Sequence, residues 1–272
     1  MDTTFSRRSL LAGAAAMSIV GKVQAQTAPV PAPPADFSKI KALTFDLQGS
    51  TVDFYQPVLR AGEAMFKAKN IDVDFASVSS EWRDLYRQSM DTVLAGKAPY
   101  TRVDRIYRAG LDTLLERRGL ADKFTPAERD ELNQAWNRMD PWPDTIEGMT
   151  RLRKRFTLAT LTNASMPAAI AIVKHADLPF DAVLTGELAQ SYKPAPAVYQ
   201  LAVNYLDCKP DEILMVACHK YDLKAAHAFG MKTAFVARPL EFGPAGKPDT
   251  KPDPLFDLNV DGFVSLAKAL GA

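Results

Sequence analysis

Five short β-prone runs constrain this chain more than any other feature: Ala42–Phe45, Thr157–Leu161, Ala182–Leu184, Ile213–Ala217 and Thr233–Val236. Helix-like segments separate the last four, at Pro167–His175, Pro196–Tyr205 and Leu223–Phe229. Strands that are apolar on both faces and alternate with helices predict an α/β domain with a doubly wound parallel sheet, because crossover helices must cover each sheet face. Ligands of such sheets bind beyond the carboxyl ends of the strands. The residues just after each run are therefore the candidates for chemistry.

Residues 46–156 separate the first run from the second, far more chain than a crossover requires. The segment is not loop. Pro57–Lys69, Ser77–Leu94, Arg102–Arg118 and Pro126–Met139 each carry apolar residues at helical spacing. In the third, Val103, Ile106, Tyr107, Leu111, Leu114 and Leu115 make one core-facing stripe. Thr125-Pro126 followed by Glu128 marks a helix start, with the threonine as cap and the proline in the first turn. These helices predict an inserted helical cap at 55–140 over an α/β core made of 37–54 and 141–272. EFGPAGKPDTKPDP, residues 241–254, reads as a loop before a last helix at Gly262–Leu270.

Charge and composition narrow the partners. Thirty-three Lys and Arg against 32 Asp and Glu leave no broad basic surface for nucleic acid, and 47% apolar residues supply a sizeable core. At the N-terminus, Arg7 and Arg8 precede an apolar run, Leu10–Val20, that is too short to span a membrane, and Val23-Gln24-Ala25 follows like a cleavage site. Ser-Arg-Arg-Ser-Leu-Leu resembles a twin-arginine export signal, which implies a signal peptide at 1–25, contact with that export machinery and a periplasmic enzyme without a stable membrane anchor. Residues 26–36, with Pro29, Pro31, Pro33 and Pro34, read as an extended linker. The two cysteines, Cys208 and Cys218, flank a strand whose rise of about 3.3 Å per residue carries them beyond disulfide reach, so two free thiols are expected.

The strand ends carry Asp46 after the first run, Thr162-Asn163 after the second, Lys193 in the loop after the third, and His219 with Asp222 after the fourth. Each alone has a plain structural reading, as a turn residue, a helix cap or a solvated loop. Together they bring a nucleophilic carboxylate, hydroxyl and amide donors, an ammonium and a second carboxylate to one edge.

TFDLQGST (44–51), LATLTNAS (158–165), SYKPAPAVY (191–199) and MVACHKYDLKAAHAFG (215–230) resemble, in order and spacing, the motifs of the haloacid dehalogenase superfamily. The helical insertion resembles the cap of its 2-haloacid dehalogenase branch, with EWRDLY at 81–86 in the place of the segment that carries a halide-binding arginine. This resemblance implies that Asp46 attacks C2 of a small 2-halocarboxylate and expels halide, leaving an aspartyl ester that water hydrolyses to the 2-hydroxy acid. It implies that Arg83 with Asn163 receives the departing halide, and that Lys193, oriented by Asp222, keeps Asp46 ionised. Ser50 and Thr162 would donate hydrogen bonds to the carboxylates, and Tyr199 matches the tyrosine of the third motif.

Gln48 narrows the chemistry further. Phosphatases of the superfamily carry a second aspartate there as the acid that protonates the leaving group, and glutamine has no titratable proton to give. Halide leaves carbon without protonation. A Mg²⁺ site also requires carboxylates near Asp222, where this chain has Cys-His-Lys-Tyr. No cofactor is therefore expected, with Mg²⁺ retained only for the rival reading as a phosphatase of small phosphomonoesters. A periplasmic binding protein without turnover is the rival from another class, and a homodimer is compatible with any of these. Relative to the dehalogenase pattern, Gln48 replaces an aromatic residue and Tyr221 a tryptophan of the pocket, while Ala217 and His219 replace a serine and an asparagine that place the hydrolytic water. His219 is read either as the base that takes the water's proton, with an imidazole pKa near 6.5, or as a histidine hydrogen-bonded in its loop.

Overall fold

The computed structural model describes residues 36–272; the predicted export signal and the linker up to residue 35 lie outside the described residues. Five strands form one parallel sheet: β1 (Ala42–Phe45), β4 (Thr157–Thr160), β5 (Ile213–Ala217), β6 (Lys232–Val236) and β7 (Leu258–Val260), in the order β4-β1-β5-β6-β7. β1 lies inside the sheet between β4 and β5, with Leu43 opposite both Leu158 and Leu214. Alternate residues serve opposite faces, as the strand period of two requires. Leu43, Phe45, Leu158, Leu214 and Val216 pack with Met149, Leu152, Phe263 and Leu266. Ala42, Ala159, Ile213 and Met215 pack with Val198, Leu201, Leu223 and Ala226. The first set of helical residues lies on α5 (Thr145–Arg153) and α9 (Phe263–Ala269), the second on α7 (Pro196–Leu206) and α8 (Lys220–Phe229); α6 (Met166–His175) adds Ala168, Ala169 and Ile172 to the first core. The sheet is doubly wound, as its sequence pattern predicts.

The third predicted run is not a strand. Residues 182–185 meet the edge of β4 through two isolated bridges, Ala159 to Ala182 and Thr162 to Thr185. Side chains replace part of the ladder there: the Thr160 hydroxyl donates to Leu184 O and accepts from Leu184 N, and Asp181 Oδ2 accepts from Leu158 N. Four further elements escape the sequence reading. They are α5, β7 at the sheet edge, and the antiparallel pair of β2 (Val52–Asp53) and β3 (Asp140–Pro141) where the chain leaves and re-enters the core.

Between β2 and β3 lie α1 (Tyr55–Ala68), α2 (Phe75–Leu94), α3 (Val103–Arg117) and α4 (Pro126–Asn133). Thr125 and Glu128 form a reciprocal capping box at the start of α4. This helix is shorter than predicted, because the chain tightens to a 3-10 turn at 134–137. That turn puts Trp136 flat on Tyr107, with ring centroids 4.1 Å apart, and edge-on to Trp82. Trp82 also donates from Nε1 to Tyr107 O at 2.6 Å. This aromatic cluster fixes the rotation of α2, so that burying Trp82 turns its neighbour Arg83 toward the strand ends. Among the described residues, no helix is long and apolar enough to cross a membrane.

Gly148 lets α5 touch α9. A Cβ at this position would lie 2.4 Å from the Phe263 carbonyl carbon. Helix propensity alone favours alanine by about 1 kcal/mol. Over-packing against backbone that cannot yield costs about 1–3 kcal/mol and outweighs it. Gly148→Ala is therefore expected to lower the urea midpoint with an unchanged m-value.

Candidate active site

Asp46 is the first residue after β1, and its backbone N–H donates to Val216 O of β5 at 3.0 Å. Beyond it the chain turns sharply at Gly49, whose φ of +86° is a left-handed conformation that favours glycine. The next carbonyls are all held: Gly49 O by Trp142 Nε1, Ser50 O by Arg238 Nε and Thr51 O by Thr145 Oγ1, each at 2.9 Å. Arg238 is fixed in turn by a two-pronged pair with Asp144. The carboxylate of Asp46 therefore projects from a backbone with little freedom.

Both of its oxygens are occupied. Lys193 Nζ donates to Oδ1 at 2.8 Å, while Oδ2 accepts from Ser50 Oγ at 2.7 Å and from His219 Nδ1 at 3.1 Å. Ser50 Oγ accepts from Cys218 N at 2.9 Å, which leaves its proton for Asp46. Lys193 Nζ donates to Asp222 Oδ2 at 2.5 Å, and Tyr199 OH donates to Asp222 Oδ1 at 2.7 Å. Lys193 is 1% exposed and Asp222 is fully buried. Burial opposes the charge of Asp46, but Lys193 and His219 outweigh it and hold this carboxyl well below the usual carboxylate range. Burial likewise opposes the Lys193 ammonium, yet Asp222 and Asp46 raise its pKa. Asp222 is raised by burial, with Asp46 adding its negative charge against the pull of Lys193.

Two expectations need correction. Thr162 lines the cleft, but its hydroxyl accepts from Ala164 N at 3.2 Å and lies on no carboxylate. Asn163 also lines the cleft, yet its carboxamide clamps the Lys193 backbone, with Oδ1 accepting from Lys193 N at 2.7 Å and Nδ2 donating to Lys193 O at 3.4 Å. It positions the lysine, whose loop would otherwise be free to drift.

His219 departs from an ordinary imidazole in the resting state. Its Nδ1 faces Asp46 and its Nε2 meets Glu241 Oε1 at 2.8 Å. Burial disfavours the charged ring, but Cys218, Glu241 and Asp46 outweigh it and lift the pKa well above 6.5. Because burial keeps the Cys218 thiol protonated, the two carboxylates supply that pull. In this state His219 is an imidazolium donating to two carboxylates, not a neutral base. Glu241 was invisible in the sequence, one acid in a proline- and glycine-rich loop. A Cβ at Gly49 would lie 2.8 Å from its Oε1, so the glycine also makes room for it.

On the cap side, the Arg83 guanidinium lies 4.0 Å from the centroid of the Phe54 ring and 3.9 Å from Glu241 Oε1. Arg87, one turn later on α2, lies over the ring of Tyr221, which stacks on His219. The i,i+4 spacing of two arginines on one helix was the signal that could have found Arg87. Asp46, Gln48, Arg83, Arg87, His219 and Tyr221 border a cleft of about 20 Å³. It adjoins a cavity of about 440 Å³ lined in part by Phe54, Arg83, Arg87 and Phe242.

A magnesium ion does not fit these residues. Lys193 pairs with one oxygen of Asp46 and one of Asp222, the other oxygens accept from Ser50, His219 and Tyr199, and Gln48 brings no charge, so no free carboxylate oxygens are left to hold a divalent ion. Cys218, His219 and Glu241 lie within 4.8 Å of one another, but both ring nitrogens of His219 face carboxylates, so they form an ion-paired network and not a ligand set. Cys208 and Cys218 are both free and buried.

Residues 40–230 match the family model described as haloacid dehalogenase-like hydrolase. The chain is 30% identical over 203 residues to the (S)-2-haloacid dehalogenase of Pseudomonas sp. (strain YL), covering 73% of this chain and 83% of that protein. It is 30% identical to the (S)-2-haloacid dehalogenase of Xanthobacter autotrophicus, covering 73% and 76%. Among solved structures, the defluorinating L-2-haloacid dehalogenase Rha0230 superposes with a TM-score of 0.83 at 31% identity, over 86% of this chain and 96% of that one.

Removing Lys193 separates its charge from its bulk. Lys193→Met leaves the buried Asp222 carboxylate without its counter-ion and Asp46 with His219 as its remaining cation, and is expected to cost about 3–5 kcal/mol near neutral pH. In the wild type, the depressed Asp46 pKa contributes stability that is present above 3.8 and lost as pH falls through the folded-state value. In the variant Asp222, stripped of the ammonium, titrates above 3.8, the folded state binds a proton that the unfolded state has released, and stability rises as pH falls. Urea midpoints at pH 5 and pH 8 should therefore diverge from the wild type at the higher pH and converge at the lower.

Proposed function

Because the chain belongs to the haloacid dehalogenase-like hydrolases, we propose that it hydrolyses small 2-haloalkanoic acids to 2-hydroxy acids through an ester on Asp46. One observation carries this reading. Asp46 is an ionised carboxylate in a small cleft that faces two arginines across the cap, with an amide instead of an acid at position 48. A carboxylate so placed can attack an electrophilic carbon, and Arg83 and Arg87 favour both the substrate carboxylate and the departing halide. Gln48 gives no proton, which a halide does not need and a phosphate-ester leaving group does.

In the first displacement a lone pair of Asp46 Oδ2 forms a bond to C2, and the carbon–halogen bond breaks with its electrons on the halide. Water then attacks Cγ of the ester, and the Cγ–O bond to the product breaks. The product hydroxyl thus derives from Asp46 and the new carboxylate oxygen from water. Lys193 holds the other oxygen throughout and stabilises the oxyanion that develops on it. The charged groups of this route all belong to the protein, and the reaction is metal-independent on this reading. Export to the periplasm is part of the same proposal, supported by Arg7-Arg8 before the apolar run.

Single turnover of a 2-haloacid in ¹⁸O-water, in the presence of EDTA, is expected to leave the product hydroxyl unlabelled and to label Asp46. Asp46→Asn should lose activity by roughly four orders of magnitude or more. Label in the first product, or activity that vanishes with EDTA and returns with Mg²⁺, would contradict the ester route. Replacing both Arg7 and Arg8 by Lys is expected to retain the protein in the cytoplasm, scored by fractionation; unaltered periplasmic recovery would refute export by this signal.

A further inference from the structure

We infer that Glu241 is a positioning residue that makes His219 the proton acceptor of ester hydrolysis once Asp46 has been alkylated, an inference that rests on the dehalogenase reading. The geometry is that of a carboxylate, an imidazole and a reacting centre in line. Glu241 Oε1 lies 2.8 Å from Nε2, and Nδ1 on the other side of the ring lies 3.1 Å from Asp46 Oδ2. Glu241 is 3% exposed, its backbone N–H is tied to Arg238 O at 3.1 Å, and its carboxylate meets His219 and Arg83.

The groups facing His219 are Asp46 from the β1 end, Glu241 from the 241–254 loop, the Cys218 thiol and Tyr221 from its own segment, and Arg83 with Arg87 from α2. In the resting enzyme the ring is cationic and donates to both carboxylates. Alkylation turns Asp46 into a neutral ester while the two arginines remain. The imidazolium then loses one of its two anions, and the proton on Nδ1 departs to solvent. Glu241 keeps the Nε2–H donated to itself and so selects the tautomer with a free lone pair on Nδ1.

The steps balance. Nδ1 accepts a proton from water as its oxygen bonds to Cγ of Asp46. On collapse the Cγ–O bond to the product breaks, and the product oxygen takes that proton from Nδ1. The remaining carboxyl proton of Asp46 passes to Nδ1 and restores the imidazolium between two carboxylates. One water is consumed, and one halide and one proton are released per turnover. The charge that Asp46 loses in the first half-reaction thus activates the base for the second, and its return switches the base off.

Glu241→Gln keeps a polar partner for Nε2 and removes the charge. The expected result is a normal stoichiometric burst of halide, a steady-state rate lower by roughly 10²–10⁴-fold, the range that general-base catalysis supplies, and Asp46 ester visible as added mass on the intact protein. The acid limb of ester hydrolysis should also move to lower pH, since an imidazole without its anion stays neutral further into acid. Glu241→Asp should recover part of the rate, and Glu241→Gln should have no further effect in a His219→Asn background. Burst and hydrolysis slowed alike, with an unmoved acid limb, would make Glu241 a structural residue and overturn the inference. If Glu241→Gln does not fold, a folded Glu241→Asp with wild-type hydrolysis and no trapped ester overturns it equally. A wild-type enzyme that releases no halide from any 2-haloacid fails at the earlier step, and refutes the dehalogenase reading itself.

Discussion

A lysine ammonium persists in a protein interior only when anions replace its water, and Lys193 is held in this way between Asp46 and Asp222. Desolvating each of the three ions costs several kcal/mol, so none would remain charged there alone. Together they hold an ionised carboxylate at the end of β1, an interior strand, without exposing it. Much of the surrounding structure serves that arrangement. Tyr199 satisfies the second oxygen of Asp222, Asn163 fixes the backbone that carries Lys193, and Ser50 completes Asp46.

The turn after Asp46 is held from outside the sheet. Three successive carbonyls of Gly49, Ser50 and Thr51 accept from Trp142, Arg238 and Thr145, residues that follow the cap or lie beyond β6. These bonds anchor the first and last thirds of the core at one place. They also explain why the cap leaves and re-enters the core through a paired β2 and β3, since both ends of the insertion must arrive beside this turn. Across the cleft, the Trp82–Tyr107–Trp136 cluster does for α2 what the carbonyl contacts do for the turn. It leaves Arg83 and Arg87 on the face that meets the strand ends.

The chain announced much of this. The short continuous apolar runs gave the sheet because their residues are buried on both faces, and Asp46, Lys193 and Asp222 are found together because topology places all strand ends on one edge. The helix starting at Pro126 was readable from its capping residues alone. Residues 182–184 misled because a short apolar run beside Thr160 and Asp181 pairs partly through side chains, a substitution that hydrophobic pattern does not reveal. α5 was missed because Gly148 weakens its helical pattern, although that glycine is what the contact with Phe263 requires.

By itself, the sequence determined which chemistry-bearing residues follow the strands and their loops, the helical insertion after the first strand, and the loss of a general acid at Gln48. These follow from local periodicity and residue type, which survive without knowledge of what lies opposite. Only the tertiary structure decided that His219 is charged, that Glu241 is its partner, and that Thr162 and Asn163 serve the backbone around them. A histidine's charge depends on the anions within a few ångströms, and Glu241 reaches it from a loop whose composition carries no period. Such a contact between remote segments leaves no local pattern, and the protonation state it imposes could be read only once the chain was folded.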